Sequence, residues 1–257
     1  MPETLRIESE DGVCSIVLAR PREYNTITPL LRDELAEAID QADSDRGVRV
    51  ILLRADGPAF CAGYRLDTST ASQAREAELA GSREHRAWDS VADMQMIGRY
   101  VDTYMKLWYA KKPTIAAVQG WCIGGGTDMV LCADLIVAAE GARFGYPPSR
   151  VWGTPTTAMW VYRMGLEKAK RYMLTGDEIP APKAAEIGLI LEYVADDRLQ
   201  EHAMGLAKRM AQVPLAQVQL GVGEAASHRI HQAAVVVADH PRRRPRKSAQ
   251  ERLPVGL

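Results

Sequence analysis

Leu5 to Glu10 alternates apolar and polar residues, Val13 to Leu18 is nearly all apolar, and Asp11-Gly12 lies between them. Two such runs joined by a two-residue Asp-Gly connection predict a β-hairpin. Thr28-Pro29 reads as a helix N-cap followed by a first-turn proline, and Leu31, Leu35 and Ile39 then recur every fourth residue. That spacing predicts an amphipathic helix. Gly47 ends the following loop, and Val48 to Leu53 has the nearly continuous apolar run of a strand buried on both faces. A glycine-punctuated loop spans Asp56 to Gly63, and a charged stretch from Gln73 to Asp93 leads into a helical pattern ending near Lys112.

The same order then returns. Pro113 to Val118 reads as a strand, Gly120 to Gly126 as a Gly-rich loop, a short helix follows, and Leu135 to Ala139 is again a strand. Buried strands alternating with helices predict an α/β fold of repeated β-β-α units. From Pro155 onward the pattern is mostly helical, with one more strand at Leu189 to Val194.

Length and composition narrow the class. At about 150 residues per domain, 257 residues make one large domain, or one with a small appendage. A formal charge of -1 excludes a polyanion binder of the histone type, and 47% hydrophobic with 25% charged residues is a globular balance. No stretch approaches 18 uninterrupted apolar residues, and Met1 to Gly12 carries four acids and no apolar run. Neither a membrane span nor a targeting peptide is expected, and the expected location is the cytoplasm. Cys14, Cys61, Cys122 and Cys132 stand in apolar contexts without a C-x-x-C pair, as buried thiols rather than zinc ligands or disulfides.

Pro241 to Leu257 holds six basic residues against Glu251, so this tail carries +5 and the rest of the chain -6. No aromatic residue is interleaved to stack bases, so it reads as a solvated terminus, and no nucleic-acid partner is expected. The rival reading, a tail that binds nucleic acid or anionic membrane, ranks last. His228 and His231 stand three residues apart, a spacing that could hold a metal, but no carboxylate motif accompanies them and no metal is expected.

Two loops have the composition of an anion-stabilising pair. In the first, Phe60-Cys61-Ala62-Gly63-Tyr64, small residues allow close approach to the backbone. In the second, Gly124-Gly125-Gly126 opens a helix whose first amides have no partner within the helix and sit at its positive end. One amide from each would make an oxyanion hole. A lone G-G-G is more often a packing device, and no Walker, Rossmann or G-x-S-x-G pattern is present.

Ala59-Phe60-Cys61-Ala62-Gly63, Lys112 to Gly120, Gly124-Gly125-Gly126, Cys132-Ala133-Asp134 and Ala142-Arg143-Phe144-Gly145 together resemble the crotonase superfamily, the enoyl-CoA hydratase/isomerase group. Ala19 to Ile27 resembles its R-P-x-x-x-N-A-L element and Leu174 to Asp177 its L-T-G-x motif, so the similarity runs in order from about Val13 to about Ala211. The resemblance implies a spiral α/β core over residues 1–195 and a helical oligomerisation region over 196–240, with the basic tail at 241–257. It further implies homotrimers that often pair into hexamers, no cofactor, and coenzyme A only as part of an acyl thioester substrate.

Carried onto this chain, the two enolate-binding amides fall on Tyr64 and Gly125. Family hydratases use two glutamates. Asp128 matches the first, one helical turn beyond Gly125; Pro148 stands where the second belongs, in Phe144-Gly145-Tyr146-Pro147-Pro148. Thr156 occupies the place where some relatives carry an aspartate. Tyr146, Arg150 and His85 are the nearby candidates for the missing proton-transfer group. Coenzyme A is expected against Ala62, Tyr64, Gly124 and Gly125, with Arg22 facing its phosphates; Arg65 stands where the family usually has an acid. The implied function is transformation of an acyl-CoA thioester through an enolate, of the hydratase/isomerase type. The alternative is a homologue that binds acyl-CoA with little or no hydratase activity because of Pro148.

Overall fold

A computed structural model of the chain describes residues 2–65, 90–150 and 157–214. The hairpin forms as patterned: β1 (Leu5–Glu10) pairs antiparallel with β2 (Val13–Leu18), Leu5 opposite Leu18 and Glu10 opposite Val13. Asp11 and Gly12 take φ of +48° and +80°, the two left-handed positions that a tight Asp-Gly hairpin turn requires. In α1 (Pro29–Ser44) the Thr28 hydroxyl accepts the Leu31 N–H at 3.2 Å, and Leu31, Leu35, Ile39 and Ala42 form the buried stripe.

The remaining elements are β3 (Val50–Ala55), β4 (Ala59–Cys61), α2 (Ser90–Tyr109), β5 (Thr114–Val118), β6 (Trp121–Ile123) and α3 (Gly125–Leu131). They continue with β7 (Leu135–Ala139), β8 (Arg143–Gly145), α4 (Met159–Met164), α5 (Leu166–Thr175), β9 (Ile179–Pro180), α6 (Ala181–Glu186), β10 (Glu192–Val194) and α7 (Leu199–Ala211). One sheet has the order β1-β2-β3-β5-β7-β10 and is parallel apart from the hairpin. The other, β4-β6-β8-β9, is parallel apart from its last pair. Each repeated unit thus sends its first strand into the large sheet and its second into the small one: β3 and β4, β5 and β6, β7 and β8.

Three segments differ from the sequence expectation. The loop expected over Asp56 to Gly63 contains β4, which pairs with β6. Gly120–Gly126 is not all loop, because Trp121–Ile123 pairs with β4 on one side and β8 on the other. Three residues are too few to reveal a period, and flanking glycines hide them. The strand expected from Leu189 starts only at Glu192: the amides of Leu189 and Ile190 donate instead to the Ala184 carbonyl, closing the end of α6.

The core is continuous across both sheets. The largest fully buried side chains include Phe60, Tyr100, Tyr104, Phe144 and Trp160. Leu199, Ala203 and Ala207 of α7 are buried where that helix lies on β3, β5 and β7 of the large sheet. All four cysteines are buried free thiols, and burial pushes Cys61 up to about 12. Among the described residues no helix is long and apolar enough to cross a membrane, and no cluster of His, Cys, Asp and Glu could hold a metal. His85, Thr156, the His228/His231 pair and the basic tail lie outside the described residues.

Candidate active site

β4, β6 and β8 are neighbours that run the same way, so the chain leaves their C-terminal ends toward one place. Three segments meet there: 62–65, 124–128 and 146–150.

The first is held from below by the R-P-x-x-x-N element. Asn25 is buried, donating through Nδ2 to the carbonyls of Asp56 at 3.0 Å and Ala59 at 3.1 Å while its Oδ1 accepts the Arg20 N–H at 2.8 Å. This corner hands its own carbonyl, that of Tyr24, to the Ala62 N–H at 3.0 Å, and Ile27 bridges the Gly63 carbonyl and the Arg65 N–H at 2.8 and 2.9 Å. Gly63 has φ +92°, and a Cβ there would sit 2.9 Å from the Ile123 carbonyl oxygen and 3.7 Å from the Gly125 nitrogen. The first segment therefore lies directly against the second, and only glycine fits at the contact.

In the second segment, Gly124 donates to the Gly145 carbonyl at 2.9 Å and takes φ +58°, which turns the chain into α3. Gly125 is the first residue of that helix, so its amide has no partner within it. A Cβ on Gly125 would meet the Tyr64 ring at 2.5 Å and Ile27 Cδ1 at 2.9 Å, and one on Gly126 would meet the Cys61 carbonyl at 2.7 Å. The helix start is thus packed onto β4 and roofed by the Tyr64 ring. Thr127 Oγ1 accepts the Gly145 N–H at 3.4 Å and lies 3.1 Å from the Gly145 carbonyl, tying α3 to β8.

Asp128 is fully buried one turn into α3, and its Oδ1 accepts the indole N–H of Trp160 at 2.8 Å. The surroundings are aromatic. Tyr64 meets Tyr100 edge to face at 5.3 Å, and Tyr146 meets Trp160 likewise at 6.5 Å. Burial, and after it the negative charge of Asp128, pushes the Tyr146 phenol and the Cys132 thiol well up. Tyr104 is raised too, by burial first and then by Tyr64. These phenols stay protonated throughout the physiological range.

The third segment contributes no carboxylate. Pro148 lies against the second: a Cβ on Gly124 would be 3.6 Å from Pro148 Cγ. Arg150 is exposed and directed away, with Nε on the Thr175 carbonyl and Nη2 on Asp177, each at 2.8 Å. It fixes this loop to the L-T-G-D turn, so of the nearby proton-transfer candidates Tyr146 alone is described in the buried cluster. Arg22 is exposed on the short 3-10 turn Pro21–Glu23, two residues before the Tyr24 carbonyl that holds Ala62. The structure therefore brings Ala62, Tyr64, Gly124, Gly125 and Asp128 together, while Arg22 is exposed on the neighbouring Pro21–Glu23 turn. Trp160 carried no motif; the signal available was only that a buried indole N–H needs a partner.

A sequence model of the family described as enoyl-CoA hydratase/isomerase matches residues 8–235. A probable enoyl-CoA hydratase of Rhizobium meliloti is 32% identical over 216 residues, 83% of this chain and 77% of that protein. A hydroxycinnamoyl-CoA hydratase-lyase of Pseudomonas fluorescens is 28% identical over 217 residues, 81% and 72% of the two chains. Among solved structures, an enoyl-CoA hydratase from Mycobacterium smegmatis superposes with a TM-score of 0.81 at 34% identity, covering 91% of this chain and 80% of that one.

Proposed function

We propose that this chain, which belongs to the enoyl-CoA hydratase/isomerase family, acts on an acyl-coenzyme A thioester by forming an enolate at the junction of the 62–65 and 124–128 segments. The observation that carries this is the contact of Gly63 with Ile123 and Gly125, which puts the amide-bearing backbone of both loops against one point. The thioester oxygen would accept the N–H of Tyr64 and of Gly125. Fixed donors in a dry site hold developing negative charge without reorganising, and one such donor contributes about 2.7–4 kcal/mol. Asp128 takes the α-proton: the C–H pair becomes the enolate C=C, the carbonyl π pair moves onto oxygen, and the acid formed, after exchanging its proton with solvent, returns one to carbon.

Asp128 is the one acidic side chain that is buried among the described residues. A single carboxylate supports taking a proton from one carbon and returning it more readily than hydration, which needs water activated as well. No cofactor enters this scheme. Coenzyme A is only the carrier, its backbone against Ala62 and Gly124 and its phosphates toward Arg22. The exposed apolar side chains Val161, Tyr162 and Leu166 on α4 and α5 support self-association, as a trimer or hexamer. Four unpaired buried thiols are in keeping with a cytoplasmic enzyme.

A panel of saturated, trans-2, cis-3 and aromatic acyl-CoA esters, with products and α-deuterium uptake from D2O read by mass, tests the reading. Turnover or exchange that Asp128→Asn abolishes supports it. Esters that bind but neither react nor exchange would leave the binding-only reading, which the proline at 148 favours.

A further inference from the structure

Trp160 stands 32 residues from Asp128, is fully buried, and spends its only polar group on that carboxylate, Nε1 to Oδ1 at 2.8 Å. An ionised carboxylate removed from water requires compensating donors, and an indole N–H held by packing supplies one at no further ordering cost. The packing is specific. Three residues on, Arg163 reaches the same helix from the same side, Nε donating to the Leu131 carbonyl at 2.9 Å and Nη2 to that of Ala133. α4 therefore grips α3 at two points, Asp128 near its start and the carbonyls at its end. Tyr146, edge-on to the indole, fixes the ring from a third element.

A carboxylate on one methylene instead of two is displaced by roughly 1.5 Å relative to a glutamate, and misplacement of about 1 Å can cost on the order of 10²-fold in rate. We propose that Trp160 is a positioning residue that keeps Asp128 ionised and aims it at the carbon next to a thioester bound at Gly125. This rests on the reading of Asp128 as proton acceptor.

The test follows deuterium incorporation at the α-carbon of butyryl-CoA and phenylacetyl-CoA across pH 5–9, for the wild-type chain and Trp160→Phe. If Trp160→Phe does not fold, β-(3-benzothienyl)alanine at position 160 keeps the bicyclic shape and lacks the N–H. Removing a donor to a charged group disfavours that charge, so the acid limb of the exchange rate moves to higher pH by about one to two units. The high-pH plateau falls less than about tenfold and KM stays within about threefold. A second measurement needs no turnover: urea unfolding of wild type, Trp160→Phe, Asp128→Asn and the double variant, whose coupling is larger at pH 8 than at pH 4. Exchange with an unmoved acid limb, or coupling indifferent to pH, overturns the role of Trp160 alone. No exchange by the wild-type chain at any pH overturns the reading of Asp128 itself, and with it the positioning role.

Discussion

Gly125→Ala puts a methyl carbon 2.5 Å from Tyr64 Cζ, 2.6 Å from its Cε2 and 2.9 Å from Ile27 Cδ1. Ordinary carbon contacts are about 3.5–4.0 Å, so the ring has to retreat by about 1 Å. It is backed by Tyr100 at 5.3 Å, which leaves the 62–65 segment and α3 to share the movement. Overpacking of this kind costs about 1–3 kcal/mol, offset by up to about 1 kcal/mol from replacing glycine in a helix. The folded protein survives with a modest loss of stability. Catalysis suffers more, because a donor displaced by about 1 Å from a developing oxyanion lowers the rate by about 10²–10³-fold. The assay is α-deuterium exchange into butyryl-CoA beside thermal unfolding, on Gly125→Ala, Tyr64→Ala and the double variant. Tyr64→Ala keeps its backbone N–H and should exchange within about tenfold of wild type, and the double variant should regain part of the stability because the clash with the ring is gone and only Ile27 Cδ1 remains close. Gly125→Ala that folds and exchanges within about threefold of wild type would refute the assignment of Gly125.

Gly98 lies inside α2, and a Cβ there meets nothing within 4 Å. Gly98→Ala therefore raises stability by about 0.5–1 kcal/mol, read from urea unfolding, with activity unchanged. At low pH, Glu34 is the group to watch: burial pushes its carboxyl up, but hydrogen bonds from the Thr4 hydroxyl and the amides of Glu3 and Thr4 outweigh this and hold it below its ordinary value. A depressed folded-state value gives stability that is present above the unfolded value, about 4.5, and is lost as pH falls through the folded one. Glu34→Gln should flatten the acid side of the stability profile; an unchanged slope would show that these bonds contribute nothing. On the alkaline side the sign reverses. Cys61, raised to about 12 by burial, gives stability that is present below about 9 and lost as pH rises toward 12, so urea midpoints should fall over that range, less so in Cys61→Ala.

What could be read from the chain depended on length of signal. The hairpin and α1 were legible because six-residue strands and a sixteen-residue helix show their period, and because Asp11-Gly12 and Thr28-Pro29 mark the boundaries chemically. β4, β6 and β8, three residues each, show no period, yet their side-by-side parallel pairing is what brings the three site segments together. Gly63, Gly125 and Asp128 were legible through motif spacing. Trp160 was not, since nothing local distinguishes an indole that packs from one that also holds a carboxylate, and the Tyr64 ring over Gly125 is likewise a purely tertiary fact.

Pro148 makes the remaining chemistry testable by addition rather than removal. Its ring is directed at Gly124, and its loop is pinned on both sides: Gly145 is held by Gly124 and Thr127, and Arg150 by Thr175 and Asp177. A side chain at 148 thus issues from a fixed backbone toward the 124–128 segment. Replacing proline costs about 0.4–1 kcal/mol through the unfolded chain, too little to disturb that frame. Pro148→Glu would place a second carboxylate across the junction from Asp128, the pair that hydration needs to activate water and deliver a proton to carbon. Hydration of crotonyl-CoA, followed by loss of the enoyl absorbance, should rise at least tenfold while α-exchange on butyryl-CoA changes little. If a folded Pro148→Glu leaves hydration where it was, the lack of a carboxylate at 148 is not what limits the reaction, and the acyl pocket rather than the acid/base set decides what this enzyme does.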